Sequence, residues 1–209
     1  MAIATTAESG EDLVFLRISW ETYEAIVADL GDGSHVRLAY DGEVLELMAP
    51  LDDHEAYTRL LDMLLTAIVI EWDVNLYGTG STTLRAKPLG AEPDASYYIQ
   101  HAPDVAGIER IDLRTSPPPD VVVEIDLSRR RMDTSALYAG LGVPEFWRLG
   151  SAALRGFALR DGTYREIGTS IVIPGLPLDT LAAFLERRLE SDRRRVLLDW
   201  QTWLREHRP

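Results

Sequence analysis

The sequence contains no cysteine, which excludes disulfides, thiolate zinc sites and cysteine nucleophiles and gives no sign of an oxidising compartment. Lysine is almost missing as well: Lys87 is the only one, and 34 acidic side chains outnumber 21 basic ones for a net charge of −13. Such a surface repels phosphate on average and argues against nonspecific, high-coverage binding to nucleic acid, while leaving room for a local basic groove. No uncharged apolar run approaches the roughly 18 residues that a membrane span needs. The longest, Met63 to Ile70, is bounded by Asp62 and Glu71, so no membrane crossing is expected. The opening MAIATTAESGEDL places no basic leader before an apolar segment, so a secretory signal is not expected and a cytoplasmic location is. A nucleophile elbow, a phosphate-binding glycine-rich loop and a His-x-x-x-His pattern are all missing, which removes serine hydrolases, P-loop enzymes and zincins.

What is present suits a globular chain: 209 residues, 46 % of them apolar, enough for a sizeable core. Residues 1–12 read as a disordered tail, and 13–209 as a single domain with a helical extension from about 178. Ser19 caps an expected helix to Leu30, with Trp20, Tyr23, Ile26, Val27 and Leu30 on one face. Strands at His35–Tyr40 and Glu43–Met48 flank Asp41-Gly42, a strong hairpin signal. Residues 52–72 hold the strongest helical stripe, Tyr57, Leu60, Leu61, Leu64, Leu65, Ile68 and Trp72, after a capping-box-like Asp52 and Glu55. Short strands are expected near 74–77, 82–85 and 94–99, and a continuous apolar strand at 120–127. A helix over 133–141 ends at Gly142 with Pro144 beyond, and strands follow at 145–149, 153–159, 164–167 and 170–173. The class is α/β or α+β, a mixed central sheet flanked by helices.

Polar residues interrupt segments that otherwise suit a core. Glu46 stands between Leu45 and Leu47, and Asp94 begins a strand directly after Pro93. Glu124 and Asp126, at i and i+2 in VVVEID, share one face of their strand. Burying charge there costs several kcal/mol per ion unless a cation, an arginine or a proton neutralises it. Oxygen ligands without cysteine suit a hard divalent ion such as magnesium or manganese. The alternative is a structural pairing of Glu124 and Asp126 with Arg129, Arg130 or Arg131. His54, in the first turn of the long helix, reads more readily as a hydrogen-bonded shell residue than as a ligand.

The order DGEVLELMAPLDDHE (41–55), GSTTLRAKPLGAEPDASYYI (80–99), PPPDVVVEIDLS (117–128) and LYAGLGVPEFWR (137–148) resembles the Uma-two family of restriction-endonuclease-like bacterial proteins, placed in the PD-(D/E)XK nuclease superfamily. The resemblance implies a restriction-endonuclease-like core in which Pro93-Asp94 is the PD element and Glu124 the acid of the (D/E)XK element. It implies that Asp94 and Glu124 hold the metal, and that Glu46 and His54 match the acidic and histidine positions of the amino-terminal motif. In place of the lysine two residues after Glu124 stands Asp126; in the family the lysine has moved to four before the tyrosine of the LY…GVPE motif, which here is Thr134, four before Tyr138.

The expected activity is a magnesium- or manganese-dependent endonuclease hydrolysing DNA phosphodiesters. Asp94 and Glu124 would be metal ligands, Asp126 and Glu46 supporting acids, His54 a positioning residue and Arg130 a phosphate clamp, with Lys87 as another source of positive charge. The rival is a catalytically silent nuclease-fold module that binds or interacts as a dimer. A two-carboxylate glycosidase fits poorly, because Glu124 and Asp126 lie on one strand and do not flank a cleft. Leu197, Trp200, Trp203 and Leu204 give the last helix an apolar stripe, from which a homodimer is expected, the alternative being that the stripe covers the sheet of its own chain.

Overall fold

The computed structural model describes residues 3–6, 12–31, 36–48, 52–80, 82–109, 111–126, 132–150, 153–190 and 192–209. In chain order the strands are β1 (Ile3–Thr6), β2 (Asp12–Arg17), β3 (Arg37–Tyr40), β4 (Val44–Met48), β5 (Tyr77–Gly78), β6 (Leu84–Ala86), β7 (Leu89–Ala91), β8 (Ala95–Tyr98), β9 (Val121–Asp126), β10 (Glu145–Gly150), β11 (Leu154–Arg160) and β12 (Thr163–Ile167). The helices are α1 (Trp20–Leu30), α2 (Asp52–Trp72), α3 (Ala102–Val105), α4 (Thr134–Gly140), α5 (Leu178–Leu185) and α6 (Arg193–Glu206). The fold is mixed α/β, but the strands make two six-stranded sheets where the sequence suggested one mixed sheet. The first runs β1-β2-β4-β3-β7-β6 and the second β12-β11-β10-β9-β8-β5. Only the second is mixed, through the parallel β9–β10 pair, which α4 joins as a crossover helix.

Local chemistry accounts for the elements nearest the amino end. Ser19 Oγ accepts the Thr22 N–H at 3.3 Å and starts α1. Tyr23 on that helix stacks on Tyr40 of β3, ring centroids 4.9 Å apart, which docks α1 onto the first sheet. Between β3 and β4 the Asp41 carboxylate accepts the N–H groups of Glu43 and Val44 at 2.9 and 2.7 Å, and Gly42 supplies the left-handed φ of 100° that the turn requires.

β9 divides the core between its two faces. Val121, Val123 and Ile125 pack with the α2 stripe and with α5 and α6, whereas Val122 packs with Tyr138 of α4 and with Ala39, Leu84 and Ala91 of the first sheet. α6 lies along α2: Trp200 Nε1 donates to the Leu64 carbonyl and Trp72 Nε1 to the Leu204 carbonyl, each at 2.8 Å. Both indole donors are therefore satisfied inside the core, and burial of a leucine such as Leu204 contributes about 1.5–3 kcal/mol.

Several expectations change. Ile3–Thr6 pairs antiparallel with β2, so the expected tail carries a strand whose ladder satisfies its backbone. Residues 170–173 form turns and not a strand, because the Ile171 and Val172 N–H groups go to the Glu145 carboxylate. The carboxyl-terminal helix is broken: a short 3-10 turn, Glu186–Leu189, follows α5, and Asp192 then caps a separate α6. The stripe from which a dimer was expected packs on its own chain, with Trp200 and Leu204 buried and Leu197 and Trp203 partly so. Strand β7 and helix α3 carry no clear period in the sequence. Among the described residues, no helix is long and apolar enough to cross a membrane.

Candidate active site

The second face of β9 begins apolar at Val122 and turns acidic at Glu124. Antiparallel register pairs Ala95 with Val123, so one step further sets Asp94, just before β8, across from Glu124 with both side chains on the same face. The structure closes that step with a hydrogen bond: Asp94 Oδ2 accepts the Ile125 N–H at 2.7 Å. Glu124 Oε1 accepts the Tyr138 hydroxyl at 2.6 Å, which ties the strand to α4. Both carboxylates are buried, Asp94 at 5 % exposure and Glu124 at 1 %. Their orientation is set by one backbone donor and one tyrosine, not by solvent-exposed rotamers.

The first sheet supplies the opposite wall. Ala39 pairs with Glu46 and Arg37 with Met48, so all four project from one face, while Tyr40 and Leu45 pack on the α1 side. Arg37, Ala39, Glu46 and Met48 line a small, narrow cleft together with Glu92, Glu124 and Tyr138. Glu46 is buried and accepts the Met132 N–H at 3.2 Å, which holds the chain entering α4 against β4. Glu46, Glu92 and Glu124 thus line the cleft with Arg37, whose guanidinium also faces Asp94 at 4.0 Å.

The remaining expected residues are placed as follows. Asp126 is half-buried at the end of β9, and its Oδ1 is buried without a hydrogen bond. Thr134 is 2 % exposed in the first turn of α4, one turn before Tyr138 and on the same face. Arg130 and the side chain of His54 lie outside the described residues, as do Arg129 and Arg131. Lys87 is not a site residue: it is exposed in the β6–β7 turn and its Nζ pairs with Glu21 Oε1 of α1 at 3.2 Å. It precedes Asp94 by seven residues in the chain, but strand pairing carries it to the α1 side of the sheet.

Arg37 and Glu92 escaped the sequence reading. The signal for Arg37 was a charge at the same strand parity as Ala39 in Arg37-Leu38-Ala39-Tyr40. Glu92 accepts the Leu38 N–H at 3.1 Å and the Thr83 hydroxyl at 2.6 Å; burial pushes its carboxyl above the ordinary range although these bonds pull it down. Arg148 of β10 also stands beside Glu124 in register, its guanidinium over the Phe146 ring and 3.8 Å from Asp133. Among the described residues, no group of three or more His, Asp or Glu side chains is placed to hold a metal ion. Two carboxylates with backbone carbonyls and water still suit magnesium or manganese, which use few protein ligands.

A family model, Uma2, described as "Putative restriction endonuclease", matches residues 20–189. Comparison with curated proteins gives no match. A solved structure, a putative nuclease belonging to DUF820 from Anabaena variabilis, is similar with a TM-score of 0.51 and 14 % identity, covering 88 % of this chain and 99 % of that one. At that identity the likeness establishes the shared nuclease fold, consistent with a restriction-endonuclease-like core.

Proposed function

Because the chain belongs to the Uma2 ("putative restriction endonuclease") family, we propose that it is a divalent-metal-dependent endonuclease hydrolysing DNA phosphodiester bonds. The observation that carries this reading is the hydrogen bond from Ile125 N–H to Asp94 Oδ2, which seats the aspartate of one sequence motif beside the glutamate of another. Asp94 and Glu124 would hold magnesium or manganese, and when bound such an ion supplies Lewis-acid polarisation of a phosphoryl oxygen. Tyr138 keeps Glu124 turned into the cleft, and Glu46 anchors the entry to α4 through Met132. Asp126 is a supporting acid at the mouth of the strand, with His54 as positioning residue and Arg130 as phosphate clamp completing the proposal. DNA is taken as substrate, and a cytoplasmic location is part of the same proposal. A second copy of the chain would cut the second strand, with its contact elsewhere than the α6 stripe that packs on α2.

The test is cleavage of supercoiled plasmid in magnesium alongside manganese calorimetry. Wild type is expected to nick plasmid, and Asp94→Ala and Glu124→Ala are each expected to lower the rate at least about 100-fold and to abolish manganese binding. Equal cleavage and equal binding by all three proteins would overturn the assignment.

One observation favours a second reading, a catalytically silent binding module. The single lysine faces Glu21, and the position of the family's relocated lysine holds the buried Thr134. Manganese binding without cleavage of any DNA would select it.

A further inference from the structure

We infer that Arg37 is a phosphate-binding residue of this cleft, supplying from the first sheet the positive charge that a lysine carries elsewhere in the family; the inference rests on the nuclease reading above. The chain's one lysine is held outside the cleft by Glu21, so among the described residues the cation on the cleft wall is Arg37. Arg37 stands at the start of β3 on the same face as Ala39 and Glu46, with 18 % of its side chain exposed, and faces Asp94 across the cleft.

Its hydrogen bonding separates a ligand-facing arginine from a structural one. Three arginines on the surface grip a carboxylate through two short bonds: Arg205 holds Glu71 at 2.9 and 2.6 Å, Arg155 holds Glu166 at 2.9 and 2.5 Å, and Arg187 holds Glu190 at 2.7 and 3.1 Å. Arg37 approaches Asp94 Oδ1 only to 4.0 Å, and its Nε is a buried donor without a hydrogen bond. A guanidinium used merely to neutralise Asp94 would adopt the forked geometry that planar carboxylates favour. Held short of it, Arg37 keeps its donor array for an oxyanion brought against Asp94 and Glu124. The chemistry is recognition of a phosphodiester by a planar, permanently protonated fork, which stabilises charge and cannot act as a base. Among the described residues, the rival cation is Arg148, beside Glu124 on β10, but it already lies over the Phe146 ring and faces Asp133.

The test compares wild type with Arg37→Met, Arg37→Lys and Arg148→Met in three measurements: plasmid cleavage in magnesium, manganese calorimetry, and anisotropy of a labelled duplex oligonucleotide in calcium over a salt series. Arg37→Met is expected to bind manganese at least as well as wild type and to cleave about 100- to 1,000-fold more slowly. Its plot of log affinity against log salt should be shallower by about one phosphate contact. Arg37→Lys should recover the salt slope and part of the rate. The inference is overturned if Arg37→Met keeps the wild-type slope and rate, if Arg148→Met shows the loss instead, or if Arg37→Met loses manganese binding and thermal stability without rescue by lysine, which marks a structural role. Should wild type cleave nothing, the nuclease reading fails, and the salt slope still decides whether Arg37 contacts phosphate. Absence of any DNA binding by wild type removes both.

Discussion

Replacing Glu145 by alanine is expected to lower the melting temperature by on the order of 10 °C, although Glu145 lies in the family's GVPE stretch and takes no part in the cleft. Its side chain is fully buried at the start of β10 and accepts four donors: Trp147 Nε1 at 2.5 Å, Ser170 Oγ at 3.1 Å, and the N–H groups of Ile171 and Val172 at 2.8 and 3.1 Å. Alanine leaves all four without this acceptor. A bond to a charged group contributes about 1.5–3 kcal/mol, but the bonds are not additive and the desolvation of the carboxylate is relieved at the same time. Leaving buried donors without an acceptor costs about 1–3 kcal/mol each, so a net loss of about 3–5 kcal/mol remains after that relief, and at roughly 2–4 °C per kcal/mol for a chain of this size the shift follows. Glu145→Gln keeps one acceptor oxygen but turns an amide N–H₂ toward donors, so about half the loss is expected.

The pH dependence tests the electrostatics of the same group. Burial raises the Glu145 carboxyl above the ordinary glutamate range, more than its hydrogen bonds lower it. The folded chain then holds this proton at pH values where the unfolded chain has released it, and this group's contribution to stability falls as pH rises from the unfolded value through the folded one. The stability advantage of wild type over Glu145→Gln should therefore narrow across that window in calorimetric melts. An advantage that widens with pH would show that the four bonds outweigh burial, and a melting temperature within about 3 °C of wild type for Glu145→Ala would refute the network's role.

Three further outcomes are expected. Tyr138→Phe removes the 2.6 Å bond to Glu124 and should cost about 1–3 kcal/mol in urea denaturation while weakening manganese binding; an unchanged midpoint and affinity would count against Tyr138 as the residue that positions Glu124. Thr134→Lys sets an ammonium in the first turn of α4, on the face that carries Tyr138, and should raise magnesium-dependent cleavage above wild type at some loss of stability; an unchanged rate would place the site's positive charge wholly elsewhere. In Gly90→Ala the new Cβ would lie 2.1 Å from the hydroxyl of the buried, stacked Tyr23, so α1 must shift at a cost of about 1–3 kcal/mol, read as a lower urea midpoint.

Much of the architecture was legible because its signals are local. The 3.6-residue stripe and the Ser19 cap specify α2 and α1 through neighbours a few residues away, and Asp41-Gly42 specifies the β3–β4 turn in the same way. The alternation that separates Glu124 from Val123 and Ile125 likewise needs only the period of a strand. Asp94 and Glu124 were conspicuous as acids inside segments composed for burial, and the motif order joined them before any contact was known.

What lies between distant segments had no such signature. Arg37 reaches the cleft because β3 pairs with β4 on one side and with β7, some fifty residues away, on the other. Lys87, seven residues before Asp94 in the chain, faces Glu21 because the β6–β7 turn extends toward α1. The apolar stripe of α6 has the same composition whether it meets α2 or a second copy of the chain, and only the packing of Trp200 and Leu204 on α2 decides between them. Glu145 became a structural anchor through four donors brought in by its own strand and by residues 170–172, which are distant from it in sequence. Periodicity records which side of an element is buried, whereas the partner of that side is a long-range contact whose energy depends on the whole folded chain.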